Sequence, residues 1–166
     1  MGLSEDLERI GLQERELQFE SMNEQTAWEI GTRLRALAEE RGLSVVIDVR
    51  RFGQPLFYTA LEGTTPDNVE WVRRKTNVVA RFHRSSYGVG LFLKSKNDSI
   101  EARGLPTADY ASHGGSFPIT VKNAGIVGCV TVSGLPQRAD HELVVEALCG
   151  ILNRRYDELK LPPEQN

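Results

Sequence analysis

One lysine stands where a charge is expensive. Residues 68–85 (NVEWVRRKTNVVARFHRS) carry helical spacing, and at about 100° per residue Trp71, Val72, Val79 and Phe82 share one apolar arc. Lys75 falls inside that arc. A buried ammonium costs free energy unless it is paired or reaches water, so two readings are open. Either Lys75 snorkels past Trp71 to solvent, or it lines a pocket wall against a carboxylate, for which Asp48 in VVIDV is the candidate. A paired, desolvated lysine can bind a carboxylate or act as a general base. On another side of the same helix gather Arg73, Arg74, Arg81 and Arg84, with Asn77. Their forks suit carboxylate, phosphate or a subunit interface, and a solvated helix face is the plain alternative.

The second chemical segment is Asp109-Tyr110-Ala111-Ser112-His113-Gly114-Gly115-Ser116, a loop entering a strand. Its glycines permit close approach of a backbone or ligand, and His113 beside them suits proton transfer, ligation or a structural hydrogen bond. The pair is not a phosphate-binding P-loop, because no Lys-Ser/Thr follows it, and no GxSxG nucleophile elbow occurs. His83 borders the apolar arc, and His141 reads as a helix-start residue beside Glu142. No histidine pair has zinc-site spacing, so no metal is expected. Cys129 and Cys149 lie in apolar segments and read as buried free thiols.

The elements that must position these residues follow from periodicity. Residues 4–18 form a peripheral charged helix, and a second helix starts at Ser21 or Asn23 and ends at Gly42. The period then changes to two: Leu43–Arg50 and Gln54–Ala60 read as a hairpin about Phe52-Gly53. Thr65-Pro66-Asp67 starts the central helix, which runs to about Ser85, and a further helix covers Tyr87–Lys96. Leu105–Gly115 has little periodicity. Phe117–Val121 and Ile126–Ser133 form a second hairpin, Asp140 caps a last helix through Leu152, and the tail 157–166 is peripheral, with Leu161-Pro162-Pro163-Glu164 frayed. Hairpin pairs without βαβ alternation predict an α+β fold, helices packed on an antiparallel sheet, in one domain spanning 1–166.

Composition narrows the function classes. The 166 residues are 40% hydrophobic and 26% charged, with formal net charge -3, so the strong basic excess of a dedicated nucleic-acid binder is missing. Glu5, Asp6 and Glu8 stand where a secretory signal would be apolar, and no run approaches the ~20 residues of a membrane span. A protein of the cytoplasm, without nucleic-acid or membrane partners, is expected.

Taken together, Trp71-x-x-Arg74-Lys75, Arg81-Phe82, Ser85-Ser86, Gly90, the Asp109–Ser116 segment, Thr131-Val132-Ser133-Gly134-Leu135-Pro136-Gln137 and Asp140-His141 resemble a small UPF-type protein family. That family is allied to the HbpS/GlcG-like "haem-degrading" superfamily, and the resemblance spans about residues 24–156. It implies a profilin-like α/β/α sandwich and a cytoplasmic homo-oligomer. Relatives bind haem or a corrinoid, some degrade haem, and a eukaryotic relative is tied to protein-targeting machinery. One departure stands out. The family pattern is Arg-Phe-Gly-His-Ser-Ser, and here it reads Arg81-Phe82-His83-Arg84-Ser85-Ser86, with the histidine one place early.

The combined expectation is an oligomer that binds haem or another small anionic ligand between the central helix and the His113 loop. Arg74, Lys75 and Arg81 would supply charge, and Ser85, His113, Gly114, Gly115 and Ser116 would supply contacts. The rivals are a pure assembly or interaction module, and an enzyme with Lys75 or His113 as base.

Overall fold

The computed structural model describes residues 2–164. Helix α1 (Gly2–Glu16) is followed by the short strand β1 (Gln18–Phe19), then α2 (Glu24–Arg41). Strands β2 (Val46–Arg51) and β3 (Gln54–Ala60) form the first hairpin. Next come α3 (Pro66–Phe82), α4 (Ser86–Ser95), a 3-10 turn at Glu101–Arg103, and the hairpin of β4 (Ser116–Val121) and β5 (Gly125–Ser133). Helices α5 (Gln137–Ile151) and α6 (Tyr156–Leu159) complete the fold. The sheet order is β1-β4-β5-β2-β3. It is α+β, as hairpin pairing implies. The departure is β1, which pairs parallel to β4 and is too short to carry a period of its own.

Period-two alternation divides the sheet into unlike faces. Ile47, Val49, Phe117, Ile119, Val130 and Val132 pack with α2 and α5 in the main apolar core. The opposite face is polar where α3 covers it. Register sets Asp48 beside Thr131 and Thr131 beside Ser116, across β2, β5 and β4. Thr131 Oγ1 donates to Ser116 Oγ at 2.8 Å, and Thr76 of α3 meets Thr131 at 3.2 Å. Every member of this row is buried. Interlocking hydroxyls satisfy one another, which is what lets a polar row lie under a helix.

Helix ends obey local chemistry. Asn23 caps α2 by accepting from Thr26 N–H at 3.0 Å, and Gly42 closes it at φ 65°. The central helix stops three residues earlier than the apolar pattern suggested, because His83 adopts the left-handed conformation at φ 55°. The resemblance noted above expects glycine at that place, the residue that conformation favours. His83 stacks on Phe52, ring centroids 6.2 Å apart, and Arg84 lies over Phe92.

Two further expectations are corrected at the last helix. Asp140 is not its cap: α5 starts at Gln137, and Asp140 reaches back to accept from Leu135 N–H at 2.9 Å. His141 is a core residue, fully buried against Tyr87 and Phe117, with Nε2 2.7 Å from Gln13 Oε1 of α1. The tail is not frayed over its described part. Leu161 is buried, its N–H donates to Glu142 at 2.7 Å, and Arg138 bonds the Pro162 carbonyl. Residues 165 and 166 of that tail lie outside the described residues.

Burial first, and then the positive charge of Arg138, push the His141 imidazole down to about 3. The folded state holds it neutral while the unfolded chain protonates it near 6.5, so stability is complete above pH 6.5 and lost as pH falls toward 3. Urea unfolding across pH 4–7 is expected to show that decline, and His141→Gln to flatten it. An unchanged slope in the variant would assign the decline to the carboxylates instead.

Candidate functional site

Lys75 resolves toward the pocket reading. It is 3% exposed, and its Nζ lies 3.1 Å from Asp140 Oδ2 and 3.2 Å from the Val132 carbonyl oxygen. The partner is therefore Asp140, not Asp48. Asp48 is held by a two-pronged bond from Arg50, at 2.7 Å on each oxygen, two residues along on the same face of β2. Burial pushes the Lys75 ammonium below the ordinary lysine range, against the pull of Asp140, and pushes the Asp140 carboxyl above the ordinary range.

The pair forms one wall of a pocket of about 290 Å³, lined also by Asn68, Trp71, His113, Ser133, Gly134, Leu135 and Gln137. Gly115 makes the arrangement sterically feasible. At φ +139°, an added Cβ would fall 2.3 Å from the Val132 oxygen and 2.7 Å from Lys75 Nζ. His113 stands exposed at the rim, edge-on to Trp71 with centroids 5.1 Å apart. Its imidazole is pushed down by partial burial first and then by the charges of Lys75 and Arg74.

Two amides set the polarity of the pocket. Asn68 Oδ1 accepts from Thr65 N–H at 2.9 Å, and Gln137 Oε1 accepts from Gly114 N–H at 3.1 Å. A backbone N–H can only donate, so the bonded atom of each amide must be its oxygen. The amide nitrogens are left as donors without protein acceptors among the described residues. With the Lys75 ammonium, the pocket offers N–H groups and suits an acceptor-rich guest.

The other anticipated residues lie as follows. Gly114 packs against the Gln137 carbonyl, where an added Cβ would come within 2.2 Å. Arg74 lies over the Trp71 ring at 4.6 Å and donates to the Thr107 carbonyl at 2.8 Å. Arg73 and Asn77 likewise hold Asp109 and its neighbours, so much of the arginine side fastens the 107–111 loop to α3. A loop without ladder partners needs such donors for its carbonyls. Arg81 is exposed beyond the pocket lining. Ser85 is buried, its Oγ accepting from Gly88 N–H at 3.2 Å as the cap of α4. Ser116 is buried under α3, bonded to Ser86 and Thr131. The structure thus gathers Lys75 and His113 at the pocket, sets Gly115 against the Lys75 amine, and places Arg74, Arg81, Ser85, Gly114 and Ser116 outside the pocket lining. Sequence reasoning missed Asn68 and gave Asp140 the wrong job. The Thr65-x-x-Asn68 helix start was the available signal for the first.

Against known families, the model described as "Haem degrading protein HbpS-like" matches residues 22–149. The chain belongs to the HbpS-like family. A UPF0303 protein of Acidobacterium capsulatum is 63% identical over 163 residues, covering 98% of this chain and 99% of that protein. One from Paraburkholderia phymatum is 55% identical over 162 residues, covering 97% and 98%. Among solved structures, the Ybr137w protein superposes with TM-score 0.80 at 30% identity, over 89% of this chain and 87% of that one. HbpS itself shares the fold at TM-score 0.64 and 20% identity, over 81% and 92%. A PduOC:heme complex does so at 0.62 and 11%, over 73% and 88%.

The pocket is too small to enclose a haem. Its volume sits at the floor of the ~300–1,000 Å³ range for drug-sized guests, and a tetrapyrrole is larger than those. Of the pocket residues only His113 offers an exposed imidazole, and it stands at the rim.

Removing one partner of the buried pair should be asymmetric. Asp140→Ala strands a buried ammonium and also frees the Gly134 and Leu135 N–H groups, and is expected to cost about 3–5 kcal/mol. Lys75→Met leaves Asp140 with both of those donors and should cost less. Denaturant unfolding of the two variants checks the order, and equal losses would contradict it.

Proposed function

We propose that this HbpS-like protein is a cytoplasmic homo-oligomer that binds a small anionic ligand in the Lys75–His113–Asp140 pocket. The carrying observation is the pair of amides, Asn68 and Gln137, whose oxygens are engaged by backbone N–H groups and whose nitrogens remain to donate. Beside a buried ammonium, they favour a guest of one or two carboxylates or a phosphate. Such a guest fits the volume, and Trp71 and Leu135 supply apolar contact. Cytoplasmic placement is supported by Cys129 and Cys149, both buried and unbridged.

Calorimetric titration with short mono- and dicarboxylates tests the reading. Binding is expected, with Gln137→Ala weakening it about tenfold, the ~1.4 kcal/mol of one good hydrogen bond to a charged group. Haem is the second reading, favoured by the exposed His113 imidazole. It would bind across the rim, or between copies, rather than within the pocket. The same preparations titrated with haem separate the two: a Soret shift abolished by His113→Ala supports rim binding, and carboxylate binding without any shift supports the small-anion reading. Neither signal would leave the pocket without a ligand role.

Association between copies is supported at the β3 edge. That strand lies last in the sheet, with Trp28 on one side and Tyr58 on the other, 58% and 47% exposed. Unpaired edges flanked by aromatic groups favour pairing with another chain. Light scattering is expected to give a multiple of 18.5 kDa that falls in Trp28→Glu. A monomeric wild type would refute this.

A further inference from the structure

The Lys75–Asp140 pair is costly for its apparent structural task. Buried ion pairs are often matched or surpassed in stability by apolar residues of similar volume, and the other buried side chains that α3 itself brings to this interface are Val72, Thr76, Val78 and Val79, all uncharged. The pair also lies on the wall of the pocket, not deep in the main core. A primary amine facing a pocket can do something that arginine or a hydroxyl cannot: it can add to a carbonyl carbon.

We propose that Lys75 is an amine nucleophile that condenses reversibly with the carbonyl group of a small oxo acid or carboxylate-bearing aldehyde held in this pocket. The proposal rests on the small-anion reading and names the ligand class for it.

Several features of the geometry support this chemistry. Two of the three directions available to the Lys75 nitrogen are taken, by Asp140 at 3.1 Å and the Val132 carbonyl at 3.2 Å. Gly115 keeps the space beside the nitrogen clear of a side chain. The Asp140 carboxylate is fixed on both oxygens, by Leu135 N–H at 2.9 Å and Gly134 N–H at 3.4 Å, so it holds still while protons move. Asn68 and Gln137 offer donors for the carboxylate of the guest. Burial also shifts the pair toward the uncharged amine and the protonated carboxyl, the forms the reaction uses.

The step balances without a redox partner. The neutral amine nitrogen bonds the carbonyl carbon, and the C=O electron pair moves to oxygen, which takes a proton from Asp140. Nitrogen returns one proton to Asp140, giving a neutral carbinolamine. Asp140 protonates the hydroxyl, water departs as C=N forms, and the remaining N–H proton goes back to Asp140. Both amine hydrogens thus leave with the carbonyl oxygen as one water.

The full-length protein is incubated with glyoxylate and sodium cyanoborohydride, and adducts are mapped by intact mass and peptide mass spectrometry. One carboxymethyl group per chain is expected, on Lys75 at least tenfold above the exposed Lys94, Lys96, Lys122 or Lys160. Lys75→Arg keeps the charge but has no primary amine, and should lose the adduct while retaining its circular dichroism. Glycolate, which carries the carboxylate but no carbonyl, should suppress labelling at Lys75. Labelling spread over the exposed lysines and absent from Lys75 overturns the inference, and that outcome is read on the wild type even if the variant fails to fold. Glycolate binding by calorimetry with no Lys75 adduct overturns the carbonyl chemistry alone. No glycolate binding together with a Lys75 adduct overturns the small-anion reading instead.

Discussion

The ammonium of Lys75 occupies a part of the fold that leaves it almost no contact with water, and the surrounding chain is arranged to meet that demand. Its acceptors come from segments 57 and 65 residues away, the end of β5 and the first turn of α5. Asp140 can serve only because the Gly134 and Leu135 amides pin it, which fixes how the chain leaves β5 and enters α5. The loop into β4 can pass only because Gly115 carries no side chain. One ion pair therefore ties the course of α3, both strands of the second hairpin and the start of α5 to a single point.

The unequal faces of the sheet make this tolerable. The face toward α2 and α5 is filled with valine, isoleucine, leucine and phenylalanine and carries most of the hydrophobic driving force. The face under α3 is lined by Asp48, Thr131 and Ser116, whose polar atoms all find partners. A helix resting on hydroxyls can present a lysine to the end of the sheet. A helix resting on a wholly apolar layer would offer that lysine no acceptors but backbone carbonyls. The fold itself persists in structures as distant as 11% identity, whereas the pocket depends on a few named side chains.

Much of the architecture was legible because periodicity reports on faces. The hairpins, the central helix and the last helix emerged from the change between periods of two and about 3.6. Lys75 was conspicuous for the same reason, as a charge on an apolar arc. Its partner was not legible, since Asp48 and Asp140 look equally available in one dimension and only strand register assigns Asp48 to Arg50. His141 misled because its position at a helix start gave no hint that α1 folds back over it through Gln13. Strand β1 has two residues, too few to show any pattern. The donor character of the pocket was invisible for another reason. An asparagine or glutamine declares which end is free only when the bonding of its other end is known.

The nearness of Lys75, Gly115 and Asp140 also restricts how descendants of this chain can change. A side chain at position 115 collides with the amine, and loss of the aspartate strands a cation. Loss of the lysine leaves an anion held by only two amides. Each single departure passes through a damaged protein, so substitutions at these three positions are not independent. A lineage abandoning the pair would have to alter the three sites nearly together, and one that keeps it inherits them as a unit, though they lie 25 to 65 positions apart in the sequence.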